Sequence, residues 1–214
     1  MASRYGTNDD LIALFDAAHR RDMHVILDLV PGHTSEEHEW FHRSCKAERN
    51  NYSDRYIWTD SWISGGDGLP FIGGESPRQR YLHLELLQIA SRRSTTVSRT
   101  PNRSWQKPAL GPDAKATCDA MVDVMRFWLS RGADGFRVDM ADSLVKKDDE
   151  GKPYTIRTWQ YMFARTPPRP SPNAAFVSEW GRPEESMAAG FDMDFYLDWR
   201  WDGVPNGYNM LLRN

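Results

Sequence analysis

The chain has 214 residues, of which 40% are hydrophobic and 27% are charged, and its formal net charge is −3. That length is enough for a sizeable core, and the charge balance argues against a nucleic-acid partner. We see no apolar run of membrane-spanning length and no apolar signal segment in residues 1–10, so we expect a cytoplasmic protein with no membrane partner. Cys45 and Cys118 are too few for a disulfide framework and are expected to be reduced.

The first predicted elements are a helix and a buried strand. Thr7 or Asn8 can cap a helix in which apolar residues recur at helical spacing as far as Ala18. The segment 24–30 is almost continuously apolar, which is typical of a strand buried on both faces. Asp28 is the charged exception inside this strand, and His33 follows its end.

Residues 34–117 interrupt this pattern and are rich in glycine, proline and aromatic residues. A structureless loop of that length is improbable in a compact domain. We therefore interpret 34–117 as an inserted subdomain, and residues 1–33 and 118–214 as the main domain. The aromatic residues of the insert are more typical of a small core than of a ligand-stacking surface.

Helix and strand alternate again after the insert. The apolar residues of 121–129 mark an amphipathic helix that ends at Gly132, and a short strand, GFRVD, follows at 135–139. Further helices are predicted around 156–163 and 183–189, and further strands at 174–179 and 192–197. Alternating helices and buried strands predict a parallel α/β sheet.

Arg137 and Asp139 share one face of their strand, because alternate side chains of a strand point the same way. Charges on so apolar a strand are costly unless they are paired or used. The pair is either a structural ion pair or a carboxylate nucleophile held ionised by the arginine. Glu179 ends the next strand beside Trp180, with no cation next to it in the sequence, which favours its protonated form.

Acidic residues and a histidine therefore follow several strands at their carboxyl ends. That arrangement is typical of a (β/α)8 barrel, and a doubly wound sheet also binds ligands at this edge. No G-x-G-x-x-G motif follows any of the predicted strands, so a nucleotide-binding fold is less favoured.

Three segments carry a family resemblance, namely HVILDLVPGHTS at 24–35, GFRVD at 135–139 and VSEW at 177–180. In order and spacing they resemble three sequence regions of the α-amylase superfamily, glycoside hydrolase family 13. The resemblance implies a partial (β/α)8 barrel with a domain B-like insert after the third barrel strand. It also implies a retaining glycosidase that acts on α-glucosidic bonds of oligo- or polysaccharides.

The resemblance also implies roles for individual residues. Asp139 matches the nucleophile and Glu179 the general acid/base of a double displacement, which needs two carboxylates about 5–5.5 Å apart. Arg137 matches the residue that supports the nucleophile, His33 the residue that contacts the sugar at the cleaved bond, and Asp28 a supporting acid. The implied substrate is an α-glucan or a short α-glucoside.

Two positions depart from the family pattern. Gly32 precedes His33 where many members carry an asparagine that binds calcium. Calcium binding is therefore possible, but the usual ligand pattern for calcium is not matched. No cofactor is expected to be required. Asp142-Ser143 stands where many amylases have Lys-His, which argues against a starch-type α-amylase. The family's first two strands and its later region with a third acid are not found, so we expect a truncated fragment that is inactive alone.

Three alternatives stay open on the sequence. The first is a transglycosylase of the same family that acts on sucrose or trehalose, and the second is an inactive carbohydrate-binding relative. The third is a pseudogene fragment, because the polar, aperiodic stretch Glu85–Arg103 can be back-translated so that another reading frame spells a PALN-containing family segment. The DNA sequence would test the shifted frame.

Overall fold

The structure is a computed structural model that describes residues 3–35, 37–59, 71–73, 81–86, 97–98, 107–145, 148–166 and 174–195. Most of the stretch Glu85–Arg103 and part of the strand predicted at 192–197 lie outside these ranges. The described elements, in chain order, are α1 (Asn8–His19), β1 (Ile26–Leu29), α2 (Glu39–Ser44), β2 (Tyr56–Thr59), β3 (Phe71–Gly73), β4 (Tyr81–Leu86), β5 (Val97–Ser98), β6 (Lys107–Pro108), α3 (Pro112–Leu129), β7 (Gly135–Val138), α4 (Pro153–Phe163), β8 (Ala175–Ser178), α5 (Pro183–Ala189) and β9 (Met193–Asp194).

The main sheet contains four strands in the order β1-β7-β8-β9, and each neighbouring pair is parallel. Helix α3 leads into β7, α4 lies between β7 and β8, and α5 lies between β8 and β9. The predicted alternation of helices with strands of a parallel sheet is therefore confirmed. None of the helices in the described ranges has the length and apolarity that crossing a bilayer requires.

Both long helices before the central strands begin at recognisable start signals. In α1, the Thr7 hydroxyl accepts a hydrogen bond from the Asp10 amide at 3.2 Å, and the Asp10 carboxylate accepts one from the Thr7 amide at 2.8 Å. This reciprocal pair satisfies the backbone amides of Thr7 and Asp10 at the start of the helix. Helix α3 begins with Pro112 in its first turn and Asp113 beside it, upstream of residue 118. The division of the chain at 34–117 stays a prediction.

Aromatic rings fill the space between the sheet and the helices. Phe136 of β7 stacks on Phe176 of β8 with ring centroids 5.8 Å apart, and Phe163 of α4 packs edge-on against Phe176 at 4.9 Å. Trp159 is fully buried and donates its indole N–H to the carbonyl of Ala141 at 2.9 Å. Burying each such ring stabilises the fold by about 1.5–3 kcal/mol, so these rings hold α4 against β7 and β8.

Strand β1 differs from the prediction that it is buried on both faces. Ile26 is 42% exposed and Asp28 is also exposed, whereas Leu29 is buried. Among the described strands, β1 pairs only with β7 and therefore lies at an edge of the sheet. A strand with a neighbour on one side leaves part of its apolar surface uncovered, so an apolar sequence does not guarantee burial.

Between β1 and α3, the chain forms a second group of elements. Strands β2, β4 and β3 form an antiparallel sheet in that order, and β5 pairs in parallel with β6. Tyr56 is 1% exposed, packs against Phe41 with centroids 5.7 Å apart, and shares a 2.6 Å hydrogen bond with the hydroxyl of Thr34. For Phe41 and Tyr56, the prediction that these aromatic residues form a core is confirmed.

Candidate active site

One guanidinium joins three carboxylates at the carboxyl ends of three adjacent strands. Arg137 Nη1 donates to Asp28 Oδ1 at 2.8 Å and to Asp139 Oδ1 at 3.0 Å. Its other terminal nitrogen, Nη2, donates to Glu179 Oε2 at 2.7 Å. The structure therefore brings together four of the five residues that the sequence assigned to a site.

The strand register explains why these side chains meet. Asp28 pairs with Arg137 across β1 and β7, and Arg137 pairs with Val177 across β7 and β8. Paired residues of parallel strands share a face, and so do residues two positions further along. Asp139 and Glu179 each lie two positions beyond this row, so all the charged groups project from the same face at the same end.

The shared cation is partly shielded from water. The side chain of Arg137 is 27% exposed, that of Asp139 29% and that of Glu179 only 13%, whereas that of Asp28 is 57% exposed. Burial alone lowers the pKa of Arg137, but the hydrogen bonds and charges of the neighbouring carboxylates outweigh it, so the net pKa is raised. The guanidinium is therefore a permanent positive charge at the centre of the cluster.

The expectation that no cation lies beside Glu179 is wrong. Arg137 is distant from Glu179 in sequence, but the β7–β8 register carries its guanidinium to the carboxylate. Sequence adjacency missed this contact because it is made across the sheet.

The turn after β7 also holds Glu179. The Met140 amide donates to Glu179 Oε2 at 3.1 Å, and the Ala141 amide donates to the Glu179 carbonyl at 3.1 Å. Met140 has φ of +47°, a left-handed conformation that costs a non-glycine residue on the order of 1–3 kcal/mol. The sequence reasoning missed Met140, since nothing in a methionine signals this conformation. The ring of Phe195 lies 5.8 Å from the guanidinium carbon of Arg137 and packs at the edge of the cluster.

His33 lies apart from this cluster in its contacts. It is exposed and follows β1 on the carboxyl side of the sheet. Within the part of the chain that the structure describes, no hydrogen bond or ion pair joins His33 to Arg137 or to the three carboxylates.

The described residues do not fit the calcium site that the family suggests. Calcium takes six to eight oxygen ligands, mostly from carboxylates, carbonyls and water. Gly32 offers no side-chain oxygen at the position before His33, and the described residues contain no group of three or more acidic, histidine or cysteine side chains arranged to hold a metal. The three carboxylates at the sheet edge are instead occupied by a guanidinium.

A parallel sheet with paired acids at its carboxyl edge is compatible with several enzyme families, and sequence comparison decides among them. The family profile described as "Alpha amylase, catalytic domain" matches residues 1–187. The chain belongs to the α-amylase family. Glycoside hydrolase family 13, predicted from three short segments, is therefore confirmed.

Two curated relatives illustrate the range of the α-amylase family around this chain. An oligo-1,6-glucosidase of Bacillus sp. is 33% identical over an alignment 168 residues long that covers 72% of this chain and 30% of that protein. The trehalose synthase/amylase TreS of Mycobacterium tuberculosis is 35% identical over an alignment 151 residues long that covers 67% of this chain and 22% of that protein. The chain thus spans less than a third of the length of either relative.

A solved structure of the same family supports the fold. The trehalose-6-phosphate hydrolase of Bacillus licheniformis superimposes with a TM-score of 0.62 at 25% identity, covering 90% of this chain and 37% of that protein. The parallel sheet and its helices are therefore part of a (β/α)8 barrel, as predicted. In such barrels the active site lies at the carboxyl ends of the strands, where the Arg137 cluster is found.

Proposed function

We propose that this chain carries the two catalytic carboxylates of a retaining enzyme acting on α-glucosidic bonds of oligo- or polysaccharides. The observation that carries the proposal is the single guanidinium of Arg137, which Asp139 and Glu179 share at the ends of adjacent barrel strands. Membership of the α-amylase family and relatives named as glucosidases support the same chemistry. The proposed substrates are α-glucans and short α-glucosides.

Asp139 is the proposed nucleophile. Its Oδ1 accepts the hydrogen bond from Arg137, so Oδ2 is the oxygen left to attack the anomeric carbon. Attack forms a bond from Oδ2 to that carbon while the bond to the leaving oxygen breaks, giving a covalent glycosyl–enzyme. The hydrogen bond from Arg137 fixes the orientation of the carboxylate before the reaction.

Glu179 is the proposed general acid/base. Its Oε2 accepts hydrogen bonds from both Arg137 and the Met140 amide, which fix the orientation of the carboxyl group. Glu179 protonates the leaving oxygen in the first step and removes a proton from water in the second. Its side chain is the least exposed of the three carboxylates around Arg137.

Asp28 and His33 have supporting roles in this proposal. Asp28 accepts from the same Nη1 as Asp139 and so fixes the guanidinium from the β1 side. His33 follows β1 and is exposed, which leaves its ring available to contact the sugar at the cleaved bond.

The proposed chemistry uses acid, base and nucleophile only, so we propose that no cofactor is required. We also place the protein in the cytoplasm, because no disulfide joins the buried Cys45 and Cys118, as expected of a reducing compartment.

Release of p-nitrophenol from p-nitrophenyl α-glucoside tests the proposal directly, and turnover by this chain would also overturn the expectation that it is inactive alone. Asp139→Asn and Glu179→Gln are expected to reduce turnover by about a thousandfold or more, because each removes an essential catalytic group. Glu184→Gln, which changes an exposed acid in the first turn of α5, is the matched control and should retain full activity. The sugar released first must be the α anomer, and activity that survives Asp139→Asn would rule out this assignment.

Transglycosylation is a second candidate, favoured by the similarity to a trehalose synthase/amylase. The same glycosyl–enzyme would then be attacked by a sugar hydroxyl in place of water. Incubation with maltose or sucrose and chromatography of the products would separate the two activities, because transfer yields new disaccharides whereas hydrolysis yields only monosaccharides.

A further inference from the structure

Asp194 is a further acid, and it lies at the end of β9, next to β8, which Glu179 follows. Asp194 Oδ1 accepts hydrogen bonds from the Ser178 hydroxyl at 2.7 Å and from the Trp180 amide at 2.9 Å. Its Oδ2 accepts from the Gly181 amide at 3.0 Å. The carboxylate of Asp194 therefore binds the chain on both sides of Glu179.

Buried hydroxyls extend this connection into the protein. Ser178 and Ser186 are both fully buried, and their hydroxyl oxygens lie 2.6 Å apart. Ser178 also lies 3.3 Å from the carbonyl of Met193, but the 2.7 Å contact with the charged carboxylate is the stronger acceptor for its single proton. Ser186 must then donate to Ser178, so hydrogen bonds run from α5 through β8 to Asp194.

We propose that Asp194 is a positioning residue for Glu179. Arg137 and the Met140 amide hold the Glu179 carboxylate from the side of the candidate site. From the neighbouring strand, Asp194 accepts from the hydroxyl of Ser178 before Glu179 and from the backbone amides of Trp180 and Gly181 after it. This inference rests on the proposed role of Glu179 as general acid/base.

Positioning of this kind has a large effect on rate. A misplacement of a catalytic group by about 1 Å can cost on the order of 100-fold in turnover. The backbone of residues 178–181 leaves the sheet at this point and turns through Gly181, which has φ of +82°. The three hydrogen bonds to Asp194 are the contacts from β9 that fix this turn.

A matched pair of variants separates positioning from simple structural support. Asp194→Asn keeps the shape of the side chain but places an amide donor opposite either Gly181 or the Ser178–Trp180 pair. Asp192→Asn is the control, because Asp192 also binds the backbone of β8, accepting from the Phe176 amide at 2.9 Å, but at the opposite end of the strands.

Both variants are made in the full chain and compared for stability and for activity per folded molecule on p-nitrophenyl α-glucoside. Asp194→Asn is expected to lower kcat about 10- to 100-fold with little change in KM, whereas Asp192→Asn keeps kcat within about twofold at a similar loss of stability. Equal kcat values for the two variants would overturn the inference.

A measurement without turnover keeps this test independent of the proposed function. The chemical shift of the Glu179 carboxyl carbon is measured by NMR at one fixed pH, together with hydrogen exchange at the Trp180 and Gly181 amides. Asp194→Asn should change that chemical shift and speed exchange at both amides, and Asp192→Asn should do neither. If the unmodified chain is inactive alone, these readouts decide the role of Asp194 without any measurement of turnover.

A milder variant covers the case in which Asp194→Asn does not fold. Ser178→Ala removes only the hydroxyl contact and leaves both backbone contacts of Asp194. It should change the chemical shift of the Glu179 carboxyl carbon by a smaller amount than Asp194→Asn does. An unchanged chemical shift in a folded Ser178→Ala protein would contradict the inference.

Discussion

Gly135, the first residue of β7, offers a sharp test of how the strand that carries Arg137 is built. Its φ is +148°, and a Cβ added there would lie 1.8 Å from the carbonyl oxygen of Ala175 and 2.7 Å from the carbonyl carbon of the same residue. Gly135 pairs directly with Ala175 across β7 and β8. A methyl group at Gly135 therefore collides with the backbone of the neighbouring strand.

The size of the effect follows from this geometry. The unusual φ alone costs a non-glycine residue about 1–3 kcal/mol. Relief of the collision requires β8 to move by about an ångström or more in a close-packed interior, which breaks the hydrogen bond from the Ala175 amide to the Asp134 carbonyl, now 2.8 Å long. We expect Gly135→Ala to cost more than about 4 kcal/mol in total, a large share of the stability of a typical domain.

Gly151→Ala is the matched control for this experiment. Gly151 also has a positive φ, +76°, but a Cβ there would meet no atom within 4 Å. Its substitution should cost only about 1–2 kcal/mol from the left-handed conformation. Urea unfolding followed by tryptophan fluorescence measures both variants, and equal midpoints for the two would refute the role given to the Ala175 collision.

Three further predictions concern charge and pH. Burial raises the pKa of Asp134, but hydrogen bonds from the Val25 amide and from His19 outweigh burial and lower the net pKa. The stabilisation that Asp134 gives the fold is therefore present above its unfolded pKa and is lost as pH falls through its folded pKa. Asp134→Asn should cost about 1–3 kcal/mol near neutral pH and flatten the acid side of a plot of urea midpoint against pH. Burial raises the pKa of Tyr56 to about 12, so its stabilisation is present below the unfolded pKa of about 10 and is lost as pH rises through the folded value. An ultraviolet titration should show a late-ionising tyrosine that Tyr56→Phe removes. Arg137→Lys retains the positive charge but not the forked guanidinium that binds three carboxylates, so kcat should fall at least about 100-fold. Circular dichroism should show that the variant stays folded, and a near-normal kcat would contradict the shared-guanidinium arrangement.

Local sequence signals were sufficient for most of the main-sheet elements. The capping residue Thr7 marked the start of α1, and the proline at position 183 with the following acids marked α5. The start of α3 was readable too, since Pro112 and Asp113 are a standard opening of a helix, but the expected helix was placed further along. These signals work because they involve residues within one turn of each other.

The contacts that define the candidate site were less accessible. That Arg137 and Asp139 share a face follows from the period of a strand, and the structure confirms it with a 3.0 Å contact. The contact of Arg137 with Glu179 depends on the register between two strands, which no local pattern gives. The hydrogen bonds of Asp194 have the same origin, and the exposure of Ile26 depends on what lies beside β1 in the sheet.

The three partners of Arg137 differ widely in their distance along the chain. Asp139 is 2 residues away, Glu179 is 42 and Asp28 is 109. The entropy lost on closing a chain segment rises only with the logarithm of its length, by about 0.6 kcal/mol for each doubling. The contact with Asp139 is thus the least costly in entropy to form, and the contact with Asp28 is the most costly. By the same logarithm, the long segment between β1 and β7 can lengthen or shorten at little thermodynamic cost to the strands it separates.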